Sequence, residues 1–156
     1  MNNYSKSFFK FHLWIIVLIV IFFNSCDQKN FPTELIGQWK TGNVEITVRT
    51  QPESGRYEFT SDTAIIKLII DSNYTASGFI GSAEFDNVKI AGLIDTSKGY
   101  LYCVKPFDIG KIFENDSQLK YPVVFKLNLL DDMTIKSELC ERNFTMAEMV
   151  FTKEKY

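Results

Sequence analysis

The chain has 156 residues, with 17 Lys and Arg against 19 Asp and Glu, one histidine and a formal charge of −2. That is the length of one ordinary domain. No Lys/Arg cluster that could track a phosphate backbone appears, which argues against nucleic acid as a partner. The histidine is His12, near the N-terminus. Everything after it therefore lacks His-based triads, Cys–His pairs and the commonest zinc ligand sets.

Lys6 and Lys10 precede an unbroken run of eleven apolar residues, Leu13 to Phe23, closed by Asn24-Ser25-Cys26. A helical span of a bilayer needs about twenty apolar residues, so this run is short. Positive residues, an apolar core and a small-residue exit are the parts of an export signal. Phe23 is too bulky for ordinary signal peptidase at that position. Phe23-Asn24-Ser25-Cys26 instead resembles the lipobox of bacterial lipoproteins, with Phe23 in place of the usual Leu and an atypical Asn24. The resemblance implies cleavage before Cys26, acyl chains such as palmitate on Cys26, and attachment to a bacterial membrane. We expect the outer membrane, with the domain in the periplasm or at the cell surface. A signal anchor left in the membrane and plain secretion are the alternatives. The division expected is a signal peptide over 1–25, a lipidated cysteine and tether over 26–30, and one domain over 31–156.

Phe31-Pro32-Thr33-Glu34-Leu35-Ile36 suits a single helical turn, with Pro32 at its first position. Gly37-Gln38-Trp39-Lys40 begins the first strand. Val44, Ile46 and Val48 alternate with polar residues, which predicts a strand with one wet face. Gln51 to Gly55 is a turn, and Tyr57 and Phe59 mark a short strand that Ser61-Asp62 breaks. Ala64 to Ile70 is the strongest strand pattern, and Tyr74 to Ile80 follows a turn at Asp71-Ser72-Asn73. Gly78 and Gly81 suit bends or bulges. The alternation from Ala83 and Phe85 changes phase at Asp86-Asn87, which predicts a bulge. A loop at Asp95 to Gly99 leads to Tyr100–Val104, which Pro106 ends, and Ile109 to Phe113 is a candidate short strand. After the polar stretch 114–120 come Val123 to Leu129, a turn at Asp131-Asp132, Ile135 to Leu139, and a last strand over Glu148 to Lys153. Short strands with no helix of consequence predict an all-β antiparallel meander, closed as a barrel or packed as a two-sheet β-sandwich.

Leu35-Ile36-Gly37-Gln38-Trp39 resembles the opening of lipocalin-like barrels, a Gly-x-Trp on the first strand after a short turn. The resemblance implies an all-β antiparallel up-and-down barrel, in preference to the sandwich, with Gly37 and Trp39 forming its structural floor. It is closer to the small lipocalin-like lipoproteins of Gram-negative bacteria than to the secreted carriers. That family's arginine over the tryptophan has a doubtful counterpart here, since Arg142 precedes the last strand.

Cys103 and Cys140 are the two cysteines beyond Cys26. In an oxidising compartment they could form a disulfide, or stand as two isolated thiols. Ile65 and Ile69 oppose Ile66, Leu68 and Ile70, and Val124 and Leu130 oppose Val123, Phe125, Leu127 and Leu129. Either a neighbouring segment covers the second face or it forms an exposed apolar patch. Aromatics from Tyr57 to Phe125 are numerous enough to line a pocket, although core packing explains most of them. Glu84, Asp86, Asp95, Asp131 and Asp132 form no recognisable acid–base pair. Asn73, Asn115 and Asn143 head triplets of the N-glycosylation pattern, and Asp62-Thr63-Ala64 resembles an O-glycosylation site of some Gram-negative bacteria.

The expectation is a non-enzymatic, lipid-anchored binding protein without catalytic residues, metal or cofactor. It would take a small apolar ligand in a barrel cavity or a protein partner on the barrel wall. A structural or interaction lipoprotein with no ligand, and less so a hydrolase, are the alternatives.

Overall fold

Period-two alternation of apolar and polar residues is carried through to strands almost everywhere. The computed structural model describes residues 31–50, 55–95, 97–113 and 121–155. The expected export signal, Cys26 and the Asn115 triplet lie outside the described residues. The strands are β1 (Gly37–Lys40), β2 (Val44–Thr50), β3 (Glu58–Ala64), β4 (Ile66–Ile70), β5 (Thr75–Ile80), β6 (Ala83–Asp95), β7 (Tyr100–Phe107), β8 (Val123–Asp131), β9 (Thr134–Glu141) and β10 (Phe144–Lys153). Eight of them close an antiparallel barrel in the order β1-β10-β9-β8-β7-β6-β5-β4, and β2 and β3 form a separate hairpin. β1 pairs with both β10 and β4, which closes the ring. That closure removes the free edges a sandwich would keep, so the barrel is the architecture and the sandwich is not.

The register sets one face of each strand inward. Ile90 lies opposite Val104, Val104 opposite Phe125, and Phe125 opposite Leu139. Phe85 and Phe107 have ring centroids 4.6 Å apart, and Phe125 lies 6.0 Å from Phe85 and 6.1 Å from Phe151. Leu68, Phe125, Leu127, Leu139 and Phe151 have no accessible surface at all. A cavity that admitted even one water would expose its lining, so side chains fill the barrel around these residues. Each such side chain contributes about 1.5–3 kcal/mol through its burial.

Several boundaries differ from those expected. Ser61-Asp62 does not break β3, and Ala64–Ile70 is not one strand. Ala64 pairs with Val44 in the hairpin whereas Ile66 pairs with Ile80 in the barrel, so the chain changes sheet at Ile65. Pro106 lies inside β7 instead of ending it, where the β7–β8 register shifts between Val104 and Phe107. A bulge frees the backbone group that proline cannot offer. Ile109 to Phe113 is not a strand. It is an irregular segment whose Ile109 and Ile112 are buried, tied by Ser82 N–H and Oγ to the Ile112 carbonyl. The initial turn is a 3-10 turn over Thr33–Leu35 with Pro32 extended ahead of it. The expected bulge at Asp86-Asn87 is present: the β5–β6 register shifts there and Asn87 has φ 54°. Gly78 is fixed by close approach, because a Cβ would collide with the Lys67 carbonyl.

The second faces of the two apolar strands stay open. Ile69 is 37% exposed and lies between polar Gln38 of β1 and Ser77 of β5, and Leu130 is 56% exposed at the end of β8. They do not sit side by side on the ladder.

Candidate functional site

Gly37 and Trp39 lie on β1, at one end of the barrel. Trp39 is completely buried, and its indole N–H donates to the Leu35 carbonyl at 2.8 Å, which ties β1 to the 3-10 turn below it. Trp39 lies opposite Lys153 in the β1–β10 ladder, and the Lys153 ammonium sits 4.9 Å from the centre of the indole ring. The same ammonium donates to the Glu34 carbonyl at 2.6 Å. Gly37 makes room for this, since a Cβ there would strike the Lys153 side chain. The cation over the tryptophan is therefore Lys153, on the last strand. Arg142 instead occupies the β9–β10 turn with φ 54° and stacks over Tyr121 at 5.0 Å. Sequence reasoning missed Lys153 because it looked for arginine; its place opposite Trp39 follows only from the register. Phe31 finishes this end, stacked on Tyr74 at 4.8 Å, with Tyr74 Oη donating to the Phe31 carbonyl.

The opposite end is closed by β2. Ile46 and Val48 are buried in the core. Beside them Arg49 meets Glu141 across 3.5 Å, and its guanidinium lies over the rings of Tyr57 and Phe144. Arg49 Nε and Glu141 Oε2 are buried without a hydrogen bond between them, so the contact is Coulombic and poorly aligned.

On the outer wall, Glu138 is as buried as Glu141 but fully partnered. Thr145 Oγ1 donates at 2.6 Å, Lys126 Nζ at 3.0 Å and Lys98 Nζ at 3.3 Å. Burial alone would push its carboxyl upward. The hydrogen bonds from Thr145 and Lys126, with the Lys126 charge and Lys98, outweigh that and hold it at about 2. Burial together with Glu138 and Glu148 pushes the nearby Tyr100 up. This cluster is a satisfied structural network on the barrel wall.

Cys103 and Cys140 are free, buried thiols. Lys126 of β8 lies opposite both Cys103 and Glu138, and Val124 lies opposite Cys140. β8 thus separates the two thiols by two strand spacings, about 10 Å, beyond the reach of a disulfide. Burial pushes both thiols up, so neither is a ready nucleophile.

A groove of about 660 Å³ lies between the hairpin and the barrel. Thr60 to Ile65 line one side, and Gly81, Ser82, Ile112, Phe79 and Phe113 complete it. A smaller hollow of about 420 Å³ shares Phe79 and adds Glu84 and Asp86. Of the exposed aromatics, Phe59 and Tyr57 also belong to the hairpin end, at 60% and 48% exposure. Among the described residues, no three His, Cys, Asp or Glu side chains gather as a metal-ligand set, and no helix is long and apolar enough to cross a membrane. Asp131 is used by its own turn, accepting from the Met133 N–H at 2.8 Å. Asn73, Asn143 and Thr63 are exposed. The chain matches no known protein family, no curated protein and no solved structure.

Proposed function

We propose that the protein is a lipid-anchored, extracytoplasmic, non-enzymatic binding protein that engages a protein partner on the outside of its barrel. The observation that carries the choice of partner over ligand is the filled interior. Phe125, Phe151, Leu68 and Leu127 occupy the volume that a small apolar ligand would need. A drug-sized ligand wants a pocket of about 300–1,000 Å³ that covers most of its surface. The hollows described here lie outside the barrel wall and are open to solvent. The anchor rests on the Leu13–Cys26 signal and its lipobox resemblance, and the non-enzymatic assignment on the lack of any histidine after His12.

Two measurements test this reading. Intact-mass spectrometry of membrane-extracted protein should show loss of residues 1–25 and a mass increment of acyl chains, and Cys26→Ser should release the protein from the membrane fraction. In the processed chain Trp39 is the remaining tryptophan. Its emission should not respond to cis-parinaric acid or palmitate, whereas a saturable blue shift would make the barrel a ligand carrier. An unmodified mass with residues 1–25 retained would remove the anchor.

A further inference from the structure

Among the described residues, β3 pairs with β2 and with no other strand. Thr47 and Ser61 lie opposite each other with hydroxyl oxygens 2.8 Å apart. The Thr63 N–H goes to a side chain of its own strand, the Asp62 carboxylate at 2.7 Å, which marks Thr63, and by alternation Ser61, as members of non-hydrogen-bonded pairs with β2. The backbone N–H and C=O of Phe59, Ser61 and Thr63 therefore turn away from β2. β3 runs through its pairs with β2 without a register shift, and Glu58–Ala64 contains neither proline nor lysine. Of the devices that normally protect a sheet edge, β3 carries only the negative charges of Glu58 and Asp62.

The edge opens onto the groove described above. Phe79, Phe113 and Ile65 give it an apolar lining, and Asp62 stands on its rim. Beyond Phe79 the adjoining hollow adds Glu84 and Asp86. Lys67, opposite Phe79 on the wall, is held by Glu154 at 3.0 Å, and Lys111 flanks the far side beside Ile112. The rim on the β3 side is therefore acidic. Two copies joined edge to edge about Ser61 would bring their Glu58 and Asp62 carboxylates to one seam, which like-charge repulsion opposes.

We propose that β3 is a docking edge for an extended polypeptide segment of a partner protein. The segment adds a third strand to the hairpin, places an apolar side chain against Phe79 and Phe113, and sets basic side chains beside Asp62, Glu84 and Asp86. Main-chain bonds supply affinity, and alternate side chains supply selectivity. This rests on the reading of the protein as a partner binder and names the chemistry of that partner.

The test uses the full chain in detergent and a fluorescein-labelled peptide, acetyl-Lys-Thr-Val-Lys-Val-Thr-Lys-amide, read by anisotropy and by amide shifts. The peptide should bind, and the amide resonances of Phe59, Ser61 and Thr63 should move. Methylating alternate peptide nitrogens along one edge, or replacing its lysines by glutamates, should weaken binding by about ten-fold or more, the loss of roughly one net hydrogen bond or charge pair. Ser61→Pro removes one outward N–H while leaving the β2 ladder intact, and should weaken binding about ten-fold. Ser61→Ala keeps that N–H, loses the Thr47 contact, and should bind as the parent does.

Equal binding of methylated and unmethylated peptides, no binding at all, or an equal loss in Ser61→Ala and Ser61→Pro would overturn the proposal. So would a dimer of the parent that Ser61→Pro abolishes, since the edge would then belong to a second copy. Peptide failure with an unresponsive Trp39 rejects the edge alone; a Trp39 response to fatty acid rejects the partner-binding reading itself.

Discussion

The two ends of this barrel are closed by different chemistry. At the Trp39 end, Trp39, Leu35 and Lys153 interlock: one indole hydrogen bond, one cation over the ring, and one ammonium-to-carbonyl bond share a few side chains. At the other end a hairpin lies across the opening, held by Ile46, Val48 and a poorly aligned Arg49–Glu141 pair. Its outer strand is exposed at every residue from Glu58 to Thr63. The contrast teaches that burial alone does not measure how firmly an end is shut. What matters is whether the buried polar groups are satisfied and whether the covering strand has partners on both sides.

Substitutions sharpen this contrast. Trp39→Ala should produce the largest loss, about 3–5 kcal/mol in urea unfolding, because it opens a cavity and removes the ring beneath the Lys153 ammonium. Ile46→Ala at the hairpin end should cost less, about 2 kcal/mol, since β2 can settle into the space. An equal loss at both ends would break the comparison.

The two buried glutamates of β9 give the next effects. Glu138 has its carboxyl lowered from 4.5 to about 2 in the folded protein. A depressed folded value contributes stability that is fully present above the unfolded pKa and is lost as pH falls toward the folded one. Stability should therefore drop as pH falls from about 4.5 to about 2, and Glu138→Gln should flatten that part of the profile. A profile unchanged by the substitution would mean the network is not formed in solution. Glu141→Gln should cost only about 1–2 kcal/mol, because its partner is misaligned and partly exposed. The double change Arg49→Met with Glu141→Leu should return to within about 1 kcal/mol of the parent. Lys153→Met should be the smallest, about 1 kcal/mol, the contribution of one partly exposed cation–π contact.

How far the sequence could be read follows from which forces are local. Val44-Ile46-Val48, Ile66-Leu68-Ile70 and Val123-Phe125-Leu127 announce their strands because a half-buried strand must alternate. The phase change at Asp86-Asn87 announces its bulge for the same reason. Ile65 was not legible as the point where the chain leaves the hairpin for the barrel, because apolar residues run straight through it. Pro106 misled because a proline that ends a regular strand is harmless at a bulge. Lys153 over Trp39, the Glu138 network and the edge of β3 that no other described strand pairs with depend on register between segments far apart in the chain. No local pattern carries that information. The burial of Trp39 could be expected of a strand tryptophan, but the groove beside β3 had no local signature.

Native-state amide hydrogen exchange of the full chain tests the contrast between the ends most directly. The amides of Trp39 and Phe151 should exchange only through global unfolding. Those of Phe59 and Ser61 should exchange at nearly the rate of an unstructured chain, and Thr60 and Asp62 should fall between. Protection of Ser61 equal to that of Trp39, in the absence of any partner, would contradict it.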